Sequence, residues 1–174
     1  MRRLLAVTLT GLVTAPLAGA AAAAEMNVTV DIPHLDVAEY HKPYLSMWIE
    51  KADQTPVTTL AVWYDQKKKD GEGAKWLKDM RQWWRKAGRD MTMPADGVSG
   101  ATRAPGEQAI TFADGKAPLG KLPAGEYQLV VETAREVGGR ELVRVPFTWP
   151  PASAKTLQAK GDHELGSVTL TVKP

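Results

Sequence analysis

The chain has 174 residues, 22 Lys and Arg against 20 Asp and Glu, three His and no Cys. Without Arg2 and Arg3 the basic count falls to 20, so the remainder is neutral and general nucleic-acid binding is excluded. The lack of Cys excludes disulfides, thioether-bound haem, iron–sulfur clusters and thiol redox chemistry, so any redox role needs a cofactor held by other means.

Residues 1–24 read as a secretory signal peptide. Arg2 and Arg3 give a positive start, Leu4 to Leu17 is mostly apolar, and Ala22-Ala23-Ala24 suits a signal peptidase cleaving before Glu25. Gly11 and Pro16 interrupt the apolar run, which is too short to span a bilayer. The mature protein, 25–174, is expected in the periplasm as one domain that does not span the membrane.

Short alternating segments follow, separated by turn residues. Met26 to Ile32 sets Val28 and Val30 against Asn27, Thr29 and Asp31. Tyr44 to Glu50 and Val57 to Tyr64 flank the hairpin-like Lys51–Pro56. Between 74 and 87 the period changes. Trp76, Leu77, Met80, Trp83 and Trp84 form one apolar stripe at helical spacing, with Lys75, Lys78, Arg85 and Lys86 largely off it. The stripe predicts an amphipathic helix over Ala74–Ala87 that turns its tryptophans onto the sheets. Lys67-Lys68-Lys69 before it reads as a solvated loop. Further strands are expected at Gln108–Phe112, Glu126–Ala134, Glu141–Trp149 and Leu165–Val172, with a hairpin at Glu136–Arg140 and a plain connection from Pro150 to Gly161. About seven short strands with Gly and Pro turns predict an all-β, immunoglobulin-like β-sandwich with one amphipathic α-helix.

One heptapeptide carries a chemical signal: Asp96-Gly97-Val98-Ser99-Gly100-Ala101-Thr102. It resembles the motif at which a bacterial flavin transferase attaches FMN to a Thr hydroxyl as a phosphodiester. Such chemistry needs an accessible hydroxyl on a thin, flexible segment. Thr102 supplies the hydroxyl, Gly100 and Ala101 keep the approach small, and Gly97 permits unusual backbone angles. From average residue usage such a match arises in roughly one chain of this length per thousand. The resemblance implies FMN on Thr102, recognition through Asp96, Ser99, Gly100 and Ala101, and Arg103 beside the phosphate or the pyrimidine edge of the ring. The transferase would perform that chemistry, leaving this chain an electron carrier rather than a catalyst. Trp63, Tyr64, Trp83 and Trp84 could stack on a flavin, with core packing the simpler role for each. Arg103 has a structural alternative, a salt bridge to Glu132 or Glu136.

Tyr44 to Tyr64, the Trp-rich segment, Ser99 to Arg103, Pro123-Ala124-Gly125-Glu126-Tyr127 and Ala134-Arg135-Glu136 also recur together. By these residues the mature chain resembles the periplasmic proteins grouped as domain of unknown function 2271. The stretch Asp114 to Tyr127 is similar to a turn in immunoglobulin-like domains of the flagellar hook cap, which supports a sandwich and says nothing of function. The family resemblance implies flavin transferases and membrane redox proteins with PepSY domains as partners. A different class of role is a non-catalytic interaction domain, accessory to a membrane or metal-uptake complex. His34 and His41, near Asp36 and Glu39, match no common metal-ligand spacing and read as surface residues. Ser99 lacks the strand–elbow–helix setting of a hydrolase nucleophile.

Overall fold

The computed structural model describes residues 23–174, so the expected signal peptide lies almost wholly outside the described residues. Nine strands form two sheets. They are β1 (Glu25–Ile32), β2 (Tyr44–Lys51), β3 (Pro56–Tyr64), β4 (Ser99–Ala101), β5 (Gly106–Ala113), β6 (Gly125–Ala134), β7 (Arg140–Trp149), β8 (Lys155–Lys160) and β9 (Ser167–Lys173). One sheet has the order β5-β1-β9-β8, and the other β4-β3-β2-β6-β7. All neighbours are antiparallel except β3 and β4.

Alternation fills the space between the sheets. Met26, Val28, Val30 and Ile32 of β1 meet Leu45, Met47 and Ile49 of β2, with Leu129 and Val131 of β6 and Phe147 and Trp149 of β7 in the same core. This is an all-β sandwich, as the periodicity predicts. The second sheet is buried on its other face too. Trp48, Val62, Tyr64, Val130 and Ala134 point away from the first sheet and pack under Leu77, Met80 and Trp83. A third layer, residues 69–90, therefore covers that sheet, which explains why β2 is buried from Leu45 through Glu50.

The third layer is not the continuous helix expected over 74–87. It comprises a 3-10 segment (Lys69–Asp79), the helix α1 (Arg81–Lys86) and a turn of 3-10 helix at Gly88–Asp90. Asp70 and Gly71 take left-handed angles, and Met80 breaks the helix with φ −78° and ψ 74°. A three-residue turn puts Leu77, Met80 and Trp83 in one inward line. It also turns Trp76 outward, contrary to the expected stripe, and leaves it 44 % exposed. Gly73 allows this layer to approach the turn after β3, because a Cβ there would overlap the Asp65 carbonyl oxygen.

Two strands went unforeseen. β8 lies within the segment expected to be a plain connection, and β4 is a three-residue strand inside the heptapeptide.

Buried carboxylates dock the third layer. Glu132 on β6 accepts hydrogen bonds from the backbone N–H groups of Gln82 (3.0 Å) and Trp83 (2.8 Å), at the start of α1. Glu50 on β2 takes Lys86 Nζ at 2.6 Å, Arg144 Nε at 2.9 Å and Trp48 Nε1 at 3.2 Å. Burial pushes the Glu132 carboxyl above its ordinary range, and the two N–H groups and Arg140 only partly offset it. Burial also pushes Glu50 upward, but hydrogen bonds from Lys86, Arg144 and Trp48 outweigh it and hold its carboxyl below the usual range.

Candidate functional site

The heptapeptide begins in a tight turn. Ser99 N donates to Ala95 O at 2.9 Å, and Ser99 Oγ accepts from Ala95 N at the same distance. Gly97 sits at the tip with φ +71°, where a Cβ would be strained, and Asp96 beside it is exposed. Val62 N then donates to Val98 O at 2.9 Å. This bond hands the chain to the sheet edge, where Ser99, Gly100 and Ala101 pair with Val62, Trp63 and Tyr64.

Gly100 is there by necessity. A Cβ on it would stand 2.9 Å from Cδ1 of Trp63, whose ring is buried in the core between the sheets. Arg103 reaches neither Glu132 nor Glu136. Its guanidinium lies over the Trp63 ring, 4.9 Å from the centroid, a cation–π contact that closes the sandwich edge. Glu132 is engaged with α1, and Glu136 with Lys68 at 3.1 Å and His41 at 3.7 Å.

Thr102 follows β4 directly, half-buried, before the chain crosses to β5 in the opposite sheet. It lines an open cleft of about 410 Å³. The other walls are residues 40–44, the turn 65–68 after β3, and Glu136 at the end of β6. Three lysines border this cleft (Lys42, Lys67 and Lys68) with His41, against two acidic side chains, Asp65 and Glu136, the second of which pairs with Lys68. The hydroxyls of Tyr40 and Tyr44 are buried at its wall without a well-formed hydrogen bond. Burial raises both phenols above their ordinary value, with Arg135 opposing it at Tyr40 and the nearby Asp65 backbone and Lys68 opposing it at Tyr44. Both hydroxyls therefore keep their protons and remain donors at neutral pH.

Asp96 thus lies in the turn before β4, Ser99, Gly100 and Ala101 form β4, and Thr102 and Arg103 follow it. The aromatic candidates fall elsewhere: Trp63, Tyr64 and Trp83 are buried in the two cores and Trp84 is half-buried against the outer one. The cleft's tyrosines and lysines were not foreseen as a site, and the only sequence signal for them was the lysine run. His41 bonds Glu39 at 2.9 Å, and no group of three or more His, Asp or Glu side chains converges as a metal site among the described residues. No helix among the described residues is long and apolar enough to cross a membrane.

The fold and site define an all-β sandwich with a helical cover and an edge-strand motif facing a basic cleft. The chain belongs to the family described as "Predicted periplasmic protein (DUF2271)", whose model matches residues 25–167. That description agrees with the compartment expected from residues 1–24, and the match begins at the first residue of β1. Neither the curated proteins nor the solved structures contain a significant match to the chain.

Proposed function

We propose that this protein is a periplasmic electron carrier holding FMN on Thr102 through a phosphodiester. The observation that carries the reading is the position of the heptapeptide. The Thr102 hydroxyl belongs to the residue at the end of an edge strand, on a cleft bordered by Lys42, Lys67 and Lys68. A strand with one unpaired edge can be read by another protein through backbone hydrogen bonds. The turn at Asp96-Gly97 lifts the approach to Thr102 into solvent.

The cleft suits the group. A phosphodiester is a monoanion, and Lys42, Lys67 and Lys68 supply positive charge. Attachment uses FAD and an external transferase. The Thr102 Oγ1 forms a bond to the phosphorus on the riboflavin side, the pyrophosphate P–O bond breaks, AMP leaves, and the hydroxyl proton passes to the transferase's base. Bound FMN supplies reversible electron transfer, which no side chain of this Cys-free protein provides. A membrane protein bearing a PepSY domain is the proposed redox partner.

Co-expression with a flavin transferase tests the reading. Intact mass should rise by one FMN less water, and the adduct should survive denaturation. Thr102→Ala should abolish it with the fold intact, Thr102→Ser should retain part of it, and Ser99→Ala should weaken it by loosening the turn. Unmodified wild-type protein beside a transferase active on another substrate would leave the interaction-domain role as the better account.

A further inference from the structure

Trp76 is the most exposed tryptophan of the described chain, on a segment whose neighbours Leu77 and Met80 are fully buried. Its ring walls a recess shared with Tyr44, Asp79, Ala134, Arg135 and Glu136. Lys68 Nζ stands 5.8 Å from the ring centroid. Tyr44 and Glu136 also line the cleft that Thr102 opens on, and so does Lys68. The recess and the cleft therefore share Tyr44 and Glu136, and a group tethered at Thr102 in the cleft has a partly exposed indole beyond that shared wall. Of the other five tryptophans Trp84 is half-buried, and Trp48, Trp63, Trp83 and Trp149 are all within 3 % of full burial.

We propose that Trp76 is the aromatic wall against which the isoalloxazine ring of a flavin held on Thr102 packs, with Lys68 on its phosphate side. This rests on the reading that Thr102 carries FMN. Two features select that occupant over a second copy or a protein partner. The tether point lines the cleft that adjoins the recess, and that cleft carries Lys42, Lys67 and Lys68 where a phosphodiester would lie. Stacking on an indole buries a planar ring on both faces of contact and places an electron-rich side chain beside an electron acceptor.

The test uses the flavin-loaded protein, with intact mass reporting attachment and flavin fluorescence reporting the ring's surroundings. An indole in van der Waals contact quenches an excited flavin by electron donation. Loaded wild-type protein should therefore be several-fold dimmer than the same protein unfolded in urea. Trp76→Ala should brighten the folded protein several-fold at unchanged mass and with an unchanged flavin-to-protein ratio. Trp76→Leu keeps apolar bulk without the indole and should brighten it equally, which covers the case of an Ala variant that fails to fold. If both loaded variants fold and fluoresce as weakly as wild type, the role of Trp76 is overturned while flavin attachment stands. If wild type gains no adduct beside an active transferase, both readings fall.

Discussion

Gly100→Ala asks whether the small residue of the heptapeptide is dictated by packing. The added methyl would sit 2.9 Å from Trp63 Cδ1 and 3.4 Å from its Nε1, closer than carbon atoms tolerate. Trp63 has little room to retreat, being 3 % exposed with the core on one side and Arg103 over its ring. The easier release is for β4, held by three residue pairs, to peel from β3. Overpacking of this kind costs about 1–3 kcal/mol, which corresponds to a fall of roughly 2–12 °C in Tm for a domain of this size. Thermal unfolding followed by circular dichroism measures it. The double variant with Trp63→Leu isolates the contact, because a leucine's branched end can rotate away. The alanine penalty should largely vanish in that background, a coupling comparable to the single-variant loss. A Gly100→Ala protein as stable as wild type, or an equal loss in both backgrounds, refutes the packing argument. If Thr102 accepts FMN and Gly100→Ala lowers the loading, the double variant separates two causes. Loading that returns there would mean Gly100 serves the loop's shape; loading that stays lost would mean a transferase reads the bare glycine.

Trp83→Ala should cost about 3–5 kcal/mol in chemical denaturation, since the ring is fully buried, packs under Gly88, and donates to Thr59 Oγ1 at 3.1 Å. Glu132→Gln should respond to pH differently from wild type. A carboxyl raised on folding stabilises below the ordinary glutamate value of ~4.3, and that contribution is lost as pH rises through its raised folded value. The variant should lack this loss in a pH series of unfolding curves. Glu50 has the opposite sign: its contribution is complete above ~4.3 and is lost as pH falls towards its depressed folded value. Glu50→Gln should cost about 1–3 kcal/mol at neutral pH, with Lys86 and Arg144 limiting the loss by reaching water, and should flatten the acid limb of the stability curve.

The sandwich was legible because its strands obey a two-residue period against one shared core. Seven of the nine strands show in the alternation of residues such as Val28 and Val30 or Val143, Val145 and Phe147. β8 escaped because it is an edge strand. Only Leu157 and Ala159 reach the core, partly buried, between the polar Lys155, Gln158 and Lys160, so its apolar alternation is weak. β4 escaped because Ser-Gly-Ala has little strand propensity and is held by the close approach of Trp63. Of the apolar stripe at 76–84, Leu77, Met80 and Trp83 form the packing face that the periodicity predicts, and Trp76 does not. The stripe's geometry was hidden, because the difference between three and 3.6 residues per turn over seven residues is small in sequence. It is large in space, and it moves Trp76 from the core to the surface. Thr102 and its neighbours were visible as a local motif. The cleft was not, because its walls come from residues 40–44, 65–68 and 136, which only the folded chain brings together.

The two docking carboxylates connect the interior to the candidate site. Glu132 holds the start of α1 and Glu50 holds its end through Lys86, so the helix is pinned to the second sheet at both ends. The 3-10 segment leading into α1 has no such anchor of its own. It is fixed by Leu77 and Met80 beneath and by the approach of Gly73 to the turn after β3. That turn carries Lys67 and Lys68, and the segment carries Trp76, so two lysines of the cleft and the exposed indole of the adjoining recess share one attachment to the sheet. A change at Glu50 or Glu132 that loosens the third layer therefore acts on the surroundings of Thr102 without touching the heptapeptide. Changes in the turn at Ala95–Ser99 act on Thr102 from β4 and leave the third layer's carboxylate anchors in place. The two supports are separable: if Thr102 carries FMN, flavin fluorescence should follow the first, and the extent of attachment should follow the second.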